Sequence, residues 1–222
     1  MLRRRAKLPV LAEIGGPSDG DRAWALRRAD FASLEGVLPR LDGVRAVLVS
    51  GEGEAVPSAA IALAAAASAS GRRTILLECD LARPQLAAQI GLAAAPGLHE
   101  YLRWEAEPAD VLQPVVLAGP AAGGAGEPLA CVCGGRPASK AETLLGLQSF
   151  AHMVAKLRAA YDLVVMLSPP ASEPGPCLAT ARQAEVALAA LPAAEADGRG
   201  GRATRAAINR LPIPALGTIA VG

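Results

Sequence analysis

The sequence predicts an α/β fold: a doubly wound, mostly parallel sheet flanked by helices. Three observations carry that expectation. Short apolar runs recur along the chain with longer Ala- and Leu-rich stretches of helical character between them, the alternation that βαβ units produce. Residues 163–167 are apolar at every position, which marks a central strand covered on both faces. Finally, 52% of the 222 residues are hydrophobic but only 3% are aromatic, so the core is expected to be aliphatic. A chain of this length suits one domain, since single domains run to roughly 250 residues.

The first apolar run, residues 44–50, is read as a strand that ends at Gly51-Glu-Gly53-Glu-Ala-Val-Pro57. Small residues then continue to Ser70, a helix with Pro57 in its first turn, where a missing N–H is tolerated, and Gly71 just past its end. Residues 74–79 form the next strand, and 98–112 read as one helix broken before Pro114. The Gly-, Ala- and Pro-rich stretch 115–126 is expected as a loop or frayed strand. After a short strand at 129–133, residues 140–160 read as a long helix with Leu144, Leu147, Phe150, Met153, Val154 and Leu157 on its apolar side. Strands follow at 163–167, 186–191 and 213–221, with a helix at 202–211 and a flexible turn at Asp197-Gly-Arg-Gly-Gly201. The expected division is an N-terminal segment and helix, residues 1–43, and one globular unit, 44–222.

Composition removes several function classes. A net charge of +1 supplies no electrostatic footprint for nucleic acid. Cys79, Cys131, Cys133 and Cys177 form no CxxC pair and lie far from the two histidines, so they are read as reduced, structural thiols rather than zinc ligands. His99 and His152 have no matched nucleophile. Nothing in the sequence offers the roughly 20 apolar residues of a membrane span or the core of a signal peptide, so a cytoplasmic location is expected.

The strand Thr74-Ile-Leu-Leu-Glu-Cys-Asp80 ends in two acids and runs into Arg83-Pro84, a short helix and Pro96-Gly-Leu98. Strand residues two apart share a face, so Glu78 and Asp80 would present both carboxylates to one ligand at the carboxyl edge of the sheet. One reading is a magnesium and hydroxyl-activating pair. The other is that Asp80 caps a helix starting near Arg83-Pro84 and Glu78 is solvated at a strand end.

This order of elements resembles the kinase domain of the bacterial tyrosine kinases of capsule and exopolysaccharide export. There, a strand runs into Asp-x-Asp-Leu-Arg-Arg-Pro and later Pro-Gly-Leu-x-x-Tyr-Leu. Leu8-Pro-Val-Leu11 is similar to the entry of those domains, just after their membrane segment, and Tyr161-Asp-Leu-Val-Val-Met-Leu-Ser-Pro-Pro170 to their Tyr-Asp-x-Val-Ile-Ile-Asp-Thr-Pro-Pro. The resemblance implies a P-loop NTPase fold of the deviant phosphate-loop, MinD-like group. It places catalytic roles on Glu78 and Asp80, with magnesium on Asp80, and nucleotide contacts on Arg83 and on a phosphate loop comprising Gly51, Gly53, Ala55, Val56, Pro57 and Ser58. Asp21-Arg-Ala-Trp24-Ala-Leu-Arg27 stands where the family carries a helix patch for ring assembly, which would imply a homo-oligomer. Only Arg27 matches that patch outright; the alternative is an amphipathic cover with Trp24, Leu26 and Phe31 packed inward.

The chain departs from the family where its chemistry sits. Phosphate binding wants a Lys on the β/γ oxygens and a Ser or Thr on magnesium. Val56 falls on the lysine position and Pro57 on the hydroxyl position, and no Lys or Arg occurs between Arg45 and Arg72. Leu167 takes the place of the acid before Thr-Pro-Pro. Mg-ATP or ADP is therefore expected to bind weakly, or not at all. The lead expectation is a degenerate kinase-like protein, peripheral to the inner membrane through a partner, a membrane polysaccharide co-polymerase of the chain-length-determinant type. An active tyrosine autokinase with a divergent ATP site and a partition- or MinD-type positioning ATPase are the alternatives.

Overall fold

The computed structural model describes residues 8–16, 27–117 and 128–222. Trp24 and most of the suspected ring-assembly patch lie outside these residues. Eight strands form one sheet: β1 (Val10–Ile14), β2 (Ala46–Gly51), β3 (Thr74–Glu78), β4 (Gln113–Val115), β5 (Leu129–Val132), β6 (Leu163–Leu167), β7 (Val186–Pro192) and β8 (Ala215–Val221). Their spatial order is β1-β8-β7-β2-β6-β3-β5-β4. Every neighbouring pair is parallel except β4–β5, so the doubly wound sheet is as expected. β2, β3 and β6 are buried at every position, which is why they read as unbroken apolar runs.

Helices cover both faces. On one side lie α1 (Arg28–Glu35), α2 (Ala55–Ala69) and α3 (Leu86–Ile90); α4 (Leu98–Leu102) and α5 (Pro108–Val111) follow in the chain. The other face carries α6 (Ala141–Leu145), α7 (Gln148–Ala160), α8 (Pro174–Ala181) and α9 (Arg199–Ile208). α2 is buried from Ala55 to Ala67. A helix that is apolar all round belongs inside, and alanine side chains let its backbone lie close to the sheet, so the core needs few rings.

Four boundaries differ from the sequence reading. Residues 98–112 form two short helices, because Trp104 takes a left-handed φ of 63° and Pro108 fits only a first turn. Pro114 then lies within β4, an edge strand, where a missing N–H is tolerated. The helix expected over 140–160 breaks at Gly146-Leu147: α6 packs on α8 while α7 packs on β6, and Gly costs about 1 kcal/mol relative to Ala inside a helix. α9 starts at Arg199, inside the stretch expected as a turn. A Cβ at Gly201 would meet the carbonyl oxygens of Glu195 and Ala196 at 2.5 and 2.8 Å, so its glycines permit close packing of the first helical turn.

Within the segment before residue 44, the described residues supply β1 and α1. β1 pairs with β8, and α1 packs on β1 and α2. Arg27 precedes α1, where its Nε donates to Asp30 at 2.8 Å. All four cysteines are buried and unpaired by disulfides. No helix among the described residues is long and apolar enough to cross a membrane.

Candidate nucleotide site

The expected site residues meet at the carboxyl ends of β2, β3 and β6, three adjacent strands. β2 ends at Gly51, where a Cβ would strike the Ala190 carbonyl of β7, so glycine is required for the two strands to pack. Gly53 turns the chain with a φ of 60°, a conformation glycine adopts without steric cost, and α2 begins at Ala55. Ala55 and Val56 are buried in the core beneath the turn. Pro57 offers no N–H to an anion. The Ser58 hydroxyl is buried without a hydrogen-bond partner among the described residues.

Glu78 is fully buried, not solvated. Its Oε1 accepts from the Gln85 and Leu86 N–H groups at 2.6 and 2.8 Å, and its Oε2 from the Gly134 N–H at 2.7 Å. One carboxylate thus caps the start of α3 and anchors the loop after β5. The helix starts at Leu86, not near Arg83-Pro84, and its cap is Glu78. Asp80 instead accepts from the Arg83 N–H at 3.2 Å. The Arg83 guanidinium bridges Asp80 at 3.6 Å and Glu173 at 2.5 Å, so both acids already neutralise it.

Sequence reasoning missed the scaffold behind this pair. Leu98 and His99 donate their backbone N–H groups to Cys133 and Gly134 at 2.8 and 2.9 Å. Glu100 accepts from the Gly97 N–H at 2.8 Å and from Arg136 Nε at 2.8 Å. Burial works to raise the Glu100 carboxyl, and these hydrogen bonds outweigh it, holding the group below its ordinary range. Pro96-Gly-Leu98 is therefore a brace for the loop that holds Glu78. Gly97 is the readable signal, since a Cβ there would strike the Cys133 carbonyl and approach Gly135.

Burial pushes the Glu78 carboxyl above its ordinary value of 4.5, against the pull of its three N–H bonds. Burial also raises Asp80 above 3.8, with Arg83 opposing. Both groups hold a proton more tightly folded than unfolded. Each stabilises the fold below its unfolded value, and that contribution is lost as pH rises through the raised folded value. Denaturant midpoints of the wild type should therefore gain on those of Glu78→Gln as pH falls from neutrality toward 4.5. A wild-type-minus-variant difference that stays flat across that range would contradict the assignment.

No family model matches the sequence, and no curated protein matches it. Solved structures do. The chain is similar to the BceF tyrosine kinase domain, with a TM-score of 0.76 and 16% identity over 97% of this chain and 93% of that one. It is similar to the kinase domain of the Escherichia coli tyrosine kinase ETK, with a TM-score of 0.73 and 16% identity over 97% and 90% of the two chains. The fold is shared with bacterial tyrosine kinase domains. A second likeness is to the septum site-determining protein MinD of Pyrococcus horikoshii, in complex with Mg-ADP, at a TM-score of 0.56 and 17% identity over 79% and 69%. The fold is thus shared with that Mg-ADP complex as well.

The residues present do not fit a bound Mg-nucleotide well. Val56, where the resemblance expects a lysine, and Leu167, where it expects an acid, are each 4% exposed. Leu167 lies in register with Glu78 on the neighbouring strand. Both oxygens of Glu78 are already engaged by backbone donors. Among the described residues no group of three His, Cys, Asp or Glu side chains could hold a metal. At this site the Ser58 hydroxyl, at the first turn of α2, is buried without a partner among the described residues and so is open to a phosphate or its cation.

Proposed function

We propose that this chain is a catalytically degenerate, tyrosine-kinase-like P-loop protein of exopolysaccharide or capsule systems, acting as a regulatory partner of a membrane polysaccharide co-polymerase. The observation that carries the degenerate reading is Glu78, whose carboxylate is consumed by three backbone N–H groups while its cross-strand neighbour is Leu167. One charge-assisted contact is worth about 1.5–3 kcal/mol, so loss of the lysine alone weakens nucleotide binding by about ten- to a hundredfold. Phosphoryl transfer loses more, because the missing groups also stabilise charge that develops in the transition state. The exopolysaccharide role is supported by the fold likeness, in which the kinase domains stand at higher TM-scores than MinD. The N-terminal segment is the proposed contact with the partner, on the inner face of the membrane. A test of that contact keeps Val10–Ile14, because those residues complete the sheet.

A second reading, an autokinase with a divergent site, is favoured by one observation, the buried and unpartnered Ser58 hydroxyl. Purified protein separates the two. Millimolar Mg-ATP is expected to leave the melting temperature unchanged and to produce no phosphotyrosine. Ligand at 100 times its dissociation constant adds about 2.7 kcal/mol, a rise of several degrees for a domain this size. A rise of that kind accompanied by phosphotyrosine would establish the autokinase. Co-purification with a membrane polysaccharide co-polymerase from the same cell tests the partner, and its failure would remove the regulatory role.

A further inference from the structure

On the face of the sheet opposite α2, a cavity of about 520 Å³ opens between α8 and α9. Its size falls within the roughly 300–1,000 Å³ of small-molecule sites. Pro174, Leu178, Ala203, Ala207 and Leu211 give it an apolar lining. Four polar side chains line it: Thr204, Arg210, Glu52 and Ser172. Thr204, 5% exposed, lines the cavity, and its hydroxyl makes no hydrogen bond among the described residues. Arg210 is exposed and forms no ion pair among them. Glu52, in the loop after β2, accepts from the Ser172 hydroxyl at 3.3 Å.

Topology separates the two charges. Glu52 follows the carboxyl end of β2, whereas α9 runs back from the carboxyl end of β7 and carries Arg210 toward the amino ends of the strands. Residues 198–212 contain Arg199, Arg202, Arg205 and Arg210 but no acid. Their summed field favours an anion along this helix, and Glu52 repels one at the other end. An apolar slot with one uncompensated cation and one free hydroxyl selects for a particular ligand chemistry.

We propose that the α8–α9 cavity binds a small amphipathic anion, with its apolar body between Leu178, Ala207 and Leu211 and its head group on Arg210 and Thr204. This site meets the β2–α2 turn only at Glu52, with its head group at the far end, and stands whether or not nucleotide binds at the turn. The ligand body would also touch Ser172, which donates to Glu52 of the turn, so occupancy is sensed beside the candidate nucleotide site.

The test is calorimetric titration of the full chain with n-decanoate and, separately, with decyltrimethylammonium, which has the same apolar chain and the opposite charge. Decanoate is expected to bind and the cation not to. Arg210→Glu should weaken decanoate by about ten- to a hundredfold, the range for one charge-assisted contact. Ala207→Phe, which fills the slot, should abolish binding while the protein melts as the wild type does. Arg210→Ala, a milder change at an exposed position, serves if the charge reversal lowers stability. Equal binding of both probes, no binding of either at millimolar concentration, or undiminished decanoate affinity in the folded Ala207→Phe protein would overturn the proposal.

Discussion

Replacing Glu78 by Ala is expected to lower the melting temperature by about 10 °C. The substitution leaves the Gln85, Leu86 and Gly134 N–H groups without their acceptor. An orphaned buried donor costs about 1–3 kcal/mol, so the total is about 3–5 kcal/mol after partial access of water. A domain of this size shifts by roughly 2–4 °C per kcal/mol. Glu78→Gln should lose less, since its carbonyl oxygen still accepts while its amide nitrogen faces a donor. Asp80→Ala offers the contrast, because Asp80 receives one backbone N–H and pairs with an Arg83 side chain that is 51% exposed; its cost should be about 1 kcal/mol. Thermal melting followed by circular dichroism reads all three. If Glu78→Ala and Asp80→Ala melt within a degree or two of the wild type, the carboxylates are not structural and their catalytic reading regains ground.

Introducing the acid that the resemblance expects, Leu167→Asp, is expected to be more damaging. Leu167 ends β6 with only 4% exposure and packs in the α2-side core. Truncating a buried leucine costs about 2–5 kcal/mol, and an unpaired buried carboxylate adds several more. The new charge would stand directly across from Glu78, where like charges destabilise neighbouring strands. The sum, more than about 5 kcal/mol, approaches the whole stability of a typical domain. Leu167→Asn, which lacks the charge, separates the cavity cost from the electrostatic cost, and lowering the pH should partly restore the Asp variant as that group protonates. A Leu167→Asp protein that folds normally and gains Mg-ADP affinity would reveal a latent nucleotide site and defeat the degenerate reading. By the same logic Val56→Lys alone would bury an uncompensated ammonium, so the missing groups are not recovered one at a time.

The central sheet was legible because its strands are buried on both faces, and that condition leaves an unbroken apolar run in the sequence at residues 46–49 and 163–167. The buried helix α2 was legible for the same reason. β1 was missed because an edge strand meets fewer demands: Val10–Ile14 mixes exposed and buried positions over only five residues, and nothing local distinguishes that from an extended linker. The breaks at Trp104 and Gly146-Leu147 escaped notice because packing partners, not propensity, decide them.

At the candidate site the division is sharper. Sequence by itself determined which groups are present: two acids at a strand end, Val56 and Leu167 where the resemblance expects a lysine and an acid, and glycines at the turn. The chemistry of a missing side chain does not depend on where the chain folds. Only the tertiary structure decided what the remaining carboxylates do, because hydrogen-bond capacity is spent on donors brought together from distant segments. Gly134 lies 56 residues from Glu78, and its N–H reaches Oε2 only once β5 pairs beside β3. Local spacing offered a ligand pair, whereas the folded chain uses one acid as an anchor and the other as an ion-pair partner.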